Sequence, residues 1–289
     1  MIVKVLRMEE IKDYKKNSEL DFWKGILEKE EGVFVNSFYT DYYIQHFDFK
    51  YEDYKDKKIL DIGCGPSGSL EWADNAKTRV GLDPLIHDYY KLNGGTLEHK
   101  MKYVCAYSED MPFADETFDF VFSLNSLDHV DDLDETISEI KRVLKIGGYF
   151  SCLVDANHDP TPCEPITIDF NLKEKFFPEF ELIHEQAYES VHYGMNKNLK
   201  EKLYYDWDNP EKRGAILLLK FKKISNPPKK EEKSPNYNFD ELHQKFNMTY
   251  EDLMNKYLMI EEENKQLNEL VEKYKQRKVV KMADYIKKI

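Results

Sequence analysis

Short apolar runs that end in an acid or a glycine alternate with amphipathic stretches over the first three quarters of this chain, after which a single long helical period takes over. Ile59-Leu-Asp-Ile62, Arg79-Val-Gly-Leu82, Tyr103-Val-Cys-Ala106 and Phe118-Asp-Phe-Val-Phe-Ser-Leu124 have the bulk of buried strands. Leu70-Glu-Trp-Ala-Asp74 reads as a helix after the first of them, and the residues from about Leu133 to Leu144 as another. Lys145-Ile-Gly-Gly148 then supplies a glycine C-cap, and a fifth strand runs to Val154. Further on come a short helix near Leu172 to Phe177, a strand near Phe180 to Glu185 and a strong strand at Ala215 to Phe221. The residues from Ile11 to Tyr54 read as helices rich in aromatics, among them Phe22, Trp23, Phe34, Tyr43 and Phe47.

The first strand leads into Gly63-Cys-Gly-Pro-Ser-Gly68, where glycines let the backbone turn tightly and approach a ligand closely. With Asp83 about 20 residues further on, this loop fits a nucleotide-binding fingerprint, for which NAD and S-adenosylmethionine compete. Asp61 favours S-adenosylmethionine over NAD, because a carboxylate there repels a pyrophosphate and suits a ligand carrying an ammonium and a sulfonium. Pro66 points the same way by removing an N–H from the position where a helix start would donate to phosphate. Asp83, at the end of the second strand, is placed to accept both hydroxyls of a ribose.

In these motifs, their order and their spacing, the stretch from Tyr54 to Val154 resembles the class I S-adenosylmethionine-dependent methyltransferases, in particular the small-molecule enzymes with an Asp-x-Gly-Cys-Gly loop. The likeness is carried by the Asp61 loop, the Asp83 strand end, Met111-Pro-Phe113, Phe118-Asp-Phe-Val121 and Leu144-Lys-Ile-Gly-Gly148. It implies an α/β fold, a Rossmann-like doubly wound sheet of about seven strands closed by an antiparallel hairpin made of the last two strands. It implies S-adenosyl-L-methionine as cofactor, with Gly63 and Gly65 against its methionine and ribose portions, Asp61 on the amino group and Asp83 on the ribose hydroxyls. Ser108 and Glu109 fall in the adenine-side loop, and Cys64, Pro84 and Asn125 complete the expected cofactor-binding set. Where relatives often carry Gly-Asp-Ala before the adenine loop, this chain has Ala106-Tyr107-Ser108, so Tyr107, Glu109 or backbone is left to meet the adenine amino group. An N-terminal segment such as residues 1–54 often forms a lid over the cofactor in the resembling family.

Composition narrows the partners. The chain has 289 residues, 41% of them hydrophobic, enough for one sizeable core with accessory segments, and no apolar run approaches a membrane span. Its N-terminus lacks an apolar stretch long enough for a signal peptide, and its four cysteines show no pair pattern, which suggests a cytoplasmic setting. A net charge of −13 argues against a nucleic-acid substrate. No membrane partner is expected either.

Methyl transfer to a hydroxyl needs a base near the departing proton. In the resembling fold the acceptor lies over the ends of the fourth and fifth strands, which here bring His129, Asp155 and His158, with Glu164 a runner-up. The expected acceptor is a small polar molecule methylated at a hydroxyl, such as a sugar or glycan end. The alternatives are an amine acceptor, and a non-catalytic methyltransferase-fold scaffold, which the intact Asp61, Gly63, Gly65 and Asp83 disfavour. No metal is expected, since cysteines and histidines lack zinc spacing and Asp131, Asp132 and Asp134 suit the acidic start of a helix.

The expected domains are residues 1–54, 55–224 for the methyltransferase, a charged proline-bearing linker at 225–236, and 237–289. The last segment spaces Phe246, Tyr250, Leu253, Tyr257, Ile260, Asn264, Leu267, Val271 and Tyr274 alternately by four and three. That seam predicts a C-terminal coiled coil, with Asn264 at an a position selecting a parallel homodimer.

Overall fold

The computed structural model describes residues 2–227 apart from 95–98, 162, 193–194, 210 and 212, with side chains from Tyr14 onward; the heptad segment lies outside the described residues. A seven-stranded sheet forms its frame, from β1 (Lys58–Ile62), β2 (Thr78–Leu82), β3 (Lys102–Val104), β4 (Phe118–Leu124), β5 (Leu144–Ala156), β6 (Phe180–Glu189) and β7 (Ala215–Lys223). The spatial order is β3-β2-β1-β4-β5-β7-β6. The first five strands pair in parallel, and β7 runs antiparallel between β5 and β6. The chain starts at β1 in the middle of the sheet, works outward to β3 and returns to β4. Strand order therefore reverses between β1 and β4, the point where open α/β sheets bind ligands outside the carboxyl ends of their strands. The Rossmann-like sheet and its closing hairpin are thus as expected.

Helices α1 (Ile2–Lys29), α2 (Ile86–Leu92), α3 (Leu133–Val143) and α4 (Met195–Lys200) accompany the sheet. Helix α3 begins as its sequence dictates: Asp132 accepts from the N–H groups of Asp134 and Glu135, both at 3.0 Å, and Asp134 and Glu135 fill the acidic first turn. It ends against β7, where the fully buried Lys223 donates to the carbonyls of Lys141 and Leu144, each at 2.6 Å.

Two local readings are corrected. Leu70 to Asp74 is not a helix but a series of turns held by i→i+3 bonds, Glu71 N to Gly68 O and Ala73 N to Leu70 O. Gly68 at φ +72° and Pro66 leave no room for a regular first turn in so short a crossover. Gly147 and Gly148 do not cap α3 either. Leu144 faces Phe118 and Tyr149 faces Phe120, so Lys145–Gly148 form a bulge inside β5, with Gly147 at φ +82° at its bend.

The aromatic residues before β1 pack against one face of the sheet. Phe47, Phe49 and Tyr54 meet Phe120, Phe122 and Tyr149 at centroid distances of 4.8–6.3 Å, while Tyr43 stands edge-on to Phe122. Each fully buried phenylalanine of such a layer contributes about 1.5–3 kcal/mol by leaving water. A second stack, Phe150, Phe176, Phe180 and Phe221, fills the space beside β5, β6 and β7. The polar stretch between β6 and β7 is tied down by Arg213, which reaches Glu189 at 2.6 Å and lies over the ring of Tyr205. Among the described residues no helix is long and apolar enough to cross a membrane.

Candidate active site

The ends of β1 and β2 place two carboxylates side by side. Asp61 is buried, and its Oδ2 accepts from the hydroxyls of Tyr43, at 2.8 Å, and Ser69. Its Oδ1 is buried with no hydrogen-bond partner among the described residues. Burial pushes Asp61 up to about 7 against the pull of those two hydroxyls, and nearby Asp83 adds to the rise. Asp83 accepts from the N–H groups of Gly65 at 3.1 Å and Leu85 at 2.9 Å, and burial pushes it up to about 6.

The glycines are needed where they stand. Gly63, at φ +67°, would drive a Cβ to 2.3 Å from the Cβ of Ser126, whose hydroxyl donates to the Ile62 carbonyl. Gly65, at φ +58°, has Trp23 of α1 against it, 2.7 Å from where a Cβ would lie. Trp23 also meets Phe34 and Tyr89 and donates to Glu19. Helix α1 is fastened over this end of the sheet by ion pairs from Lys15 to Asp131 and from Lys16 to Asp88.

This donor set fits S-adenosylmethionine. The open Oδ1 of Asp61 offers an acceptor for an ammonium, Asp83 has lone pairs left over from its two backbone partners for ribose hydroxyls, and the glycines admit the ligand between them. The remaining expected cofactor residues are placed less directly. The Cys64 thiol is buried against Gly81, beneath the loop rather than above it, and Pro84 follows Asp83 with its carbonyl facing the Cys105 thiol. Ser108 is buried against the Thr136 hydroxyl at 2.9 Å, and Glu109 accepts from the N–H groups of Asp131 and Asp132. Those side chains hold the loop expected on the adenine side onto the start of α3. Asn125 is exposed at φ +55° just past β4.

The ends of β4 and β5 gather the expected catalytic residues into one cluster with two carboxylates. Asp128 is completely buried, yet neither of its oxygens has a hydrogen-bond donor among the described residues. His158 Nε2 stands 3.5 Å from Asp128 Oδ2, and His129 Nε2 lies 4.0 Å from that atom and 3.9 Å from Glu164 Oε1. The adjoining Asp128 carboxylate pushes the His158 imidazole up to about 9 against its partial burial. Asp155 is pushed up to about 6 by burial, with Asp128 and Glu164 adding to the rise. The loop carrying His158 and Glu164 returns to this place through Ile166 N to Asp128 O at 3.3 Å and Asn157 N to Ile168 O at 2.8 Å. Sequence reasoning missed Tyr43, Glu19 and Asp128. The first two lie far along the chain and carry no motif, whereas Asp128 was legible as an acid directly beside His129 past the end of an apolar strand.

A family model described as a methyltransferase domain matches residues 60–152. The chain is 36% identical over 111 residues to sterol 4-C-methyltransferase strm-1 of Caenorhabditis elegans, a match covering 36% of this chain and 33% of that protein. It is 26% identical over 179 residues to 24-methylenesterol C-methyltransferase 2 of Arabidopsis thaliana, covering 60% and 45%. The matches thus span about a third to a half of the length of these curated relatives. Among solved structures, an S-adenosylmethionine dependent methyltransferase from Mesorhizobium loti overlaps 64% of this chain and 98% of its own at 15% identity, with a TM-score of 0.46. Residues 60–152, which carry the Asp61 and Asp83 sites at the switch point of the sheet, thus match a methyltransferase domain.

Proposed function

We propose that this protein transfers a methyl group from S-adenosylmethionine to a small polar acceptor, at a hydroxyl such as that of a sugar or glycan end. The observation that carries the acceptor class is the cluster of Asp128, His129, Asp155, His158 and Glu164 at the ends of β4 and β5. A pocket for an apolar carbon acceptor has no use for so many ionisable groups, whose burial costs free energy unless a polar partner arrives. The cofactor, when bound, supplies an electrophilic methyl group on a sulfonium. Asp61 and Asp83 would hold its amino group and its ribose, on either side of the sulfonium, and so orient the methyl group. The cluster orients the acceptor oxygen in line with it, and the hydroxyl proton passes to His129 or Asp155, while His158, pushed up to about 9, keeps its proton near neutral pH and donates a hydrogen bond to the acceptor.

Carbon methylation is the second reading, favoured by the printed names of the sterol C-methyltransferase relatives. An amine acceptor would use the same residues with less demand for a base. The four cysteines are free, which supports a cytoplasmic setting, and the spacing of residues 246–274 supports a parallel dimer through a C-terminal coiled coil.

The deciding experiment is a screen of labelled methyl transfer from S-adenosylmethionine to sugars, glycan ends, amines, carboxylic acids and sterols. Label in a hydroxylated acceptor, lost in Asp155→Asn or His158→Ala with cofactor affinity retained, is the expected result. Label on a sterol carbon alone would replace this reading with the second.

A further inference from the structure

We infer that Asp128, His129 and Glu164 form a binding site for one divalent transition-metal ion, beside the place where the acceptor would stand. One ligand atom from each of these residues lies within 4.8 Å of the others. Their separations are informative. His129 Nε2 is 4.0 Å from Asp128 Oδ2 and 3.9 Å from Glu164 Oε1, too far for direct hydrogen bonds. Ligand atoms around a tetrahedral ion with bonds of about 2.0–2.1 Å stand roughly 3.3–3.5 Å apart, so small side-chain movements close the site.

The second observation is the state of Asp128. Asp128 is a fully buried carboxylate whose Oδ2 is ion-paired with His158 at 3.5 Å, whereas its Oδ1 and the adjacent His129 Nε2 are buried without a hydrogen bond among the described residues, which is costly. A cation at the centre satisfies these orphaned atoms together. His158 Nε2, 3.5 Å from Asp128 Oδ2, is in reach as a further ligand once it gives up its proton. Imidazole together with carboxylate suits zinc, cobalt, manganese or iron better than magnesium or calcium, which favour oxygen alone. Asp128 is fully buried, whereas the side chains of His129 and Glu164 are 24% and 32% exposed, so the ion would stand on the solvent side of Asp128 with coordination positions left for a further ligand. There it can bind and polarise an acceptor oxygen. This site amends the expectation of a metal-free enzyme drawn from sequence spacing. The ligands come from two loops some 35 residues apart and form no short motif, and their recruitment of an ion does not depend on the methyl-transfer reading.

The test uses the full-length protein after treatment with chelator. Cobalt(II) is titrated in while its visible absorption bands are followed, and zinc binding is measured by calorimetry, both without S-adenosylmethionine. One ion per chain is expected, with affinity reduced roughly tenfold or more in His129→Ala and in Glu164→Gln. His184→Ala, on the exposed face of β6, should bind as the wild type does. Absence of saturable binding, or binding unchanged in both ligand variants, would overturn the site. Asp128→Asn adds a third arm if it melts cooperatively, and the two more exposed positions carry the test if it does not. S-adenosylmethionine affinity is measured separately on metal-free protein, so a failed metal site and a failed cofactor assignment give different results.

Discussion

Tyr43 donates its phenolic hydrogen to Asp61 across 2.8 Å, joining the aromatic layer before β1 to the acid at that strand's end. Tyr43 is itself fully buried, and its backbone carbonyl accepts from Tyr54 at 2.7 Å. The carboxylate proposed to meet the cofactor's amino group is therefore positioned from the core.

Tyr43→Phe leaves that carboxylate with one donor fewer. The variant should lose about 1–3 kcal/mol of folding stability, the usual cost of stranding a buried acceptor. Because the Tyr43 hydroxyl favours the ionised acid, the pH at which S-adenosylmethionine binding reaches half its maximum should also move upward. Urea melts and calorimetry across pH check the two effects.

Cofactor affinity in the wild type should rise with pH between about 5.5 and 8. Asp61 is pushed up to about 7 and Asp83 to about 6, and both must be ionised to hold an ammonium and ribose hydroxyls well. The groups facing Asp61 are Tyr43, Ser69 and Asp83; those facing Asp83 are the Gly65 and Leu85 N–H groups, Glu19 and His129. Without cofactor the linkage runs the other way. The folded chain keeps protons on these acids that the unfolded chain releases above its ordinary value of 3.8, so their contribution to stability falls as pH rises from there through about 7. Proton release on binding, read from calorimetry in buffers of different ionisation enthalpy, and melting temperatures without ligand are the measurements.

Trp23 should report on the cofactor site. It lies against Gly65, whereas Trp72 packs between Tyr43 and Tyr54 and Trp207 is exposed beside Phe170. Titration with S-adenosylmethionine is expected to change tryptophan emission, and Trp23→Phe to abolish most of that change while binding stays measurable by calorimetry. An undiminished signal in the variant would mean that α1 keeps away from the ligand.

Lys223→Met should cost about 1–3 kcal/mol by removing the donor for two buried carbonyls at the end of α3. S-adenosylmethionine affinity should not change, because that corner lies at the amino ends of the strands. Chemical denaturation alongside calorimetry separates the two.

What could be read from the chain, and what could not, follows from how local each feature is. Ile59 to Ile62 and Phe118 to Leu124 are buried strands whose composition alone gives them away, and Asp132 with Asp134 marks the start of α3 by short-range capping. The glycines of the Asp61 loop pointed to a ligand because their need for close approach is written in residue type. The turns at Leu70 were misread because an apolar residue followed by polar ones looks helical until Gly68 and Pro66 are weighed. The bulge in β5 was hidden because a glycine pair after a helix has two uses, and only pairing with Phe118 and Phe120 decides between them. The contact of Trp23 with Gly65 and the meeting of Asp128 with Glu164 depend on how separate segments converge in space. No short-range pattern encodes them.

The position of β7 bears on how the domain comes into being. Among the described residues, β6 pairs with β7 along its length, with one isolated bridge from Tyr188 to Tyr204, and β7 covers the outer edge of the long strand β5. During synthesis, then, neither half of the closing hairpin can join the sheet until the chain has emerged through Lys223. Until that moment β5 offers an open row of N–H and C=O groups to any other extended chain. Completion of β7 is thus a point of commitment in biogenesis, and a nascent chain stalled before Ala215 would be exposed to strand-to-strand association.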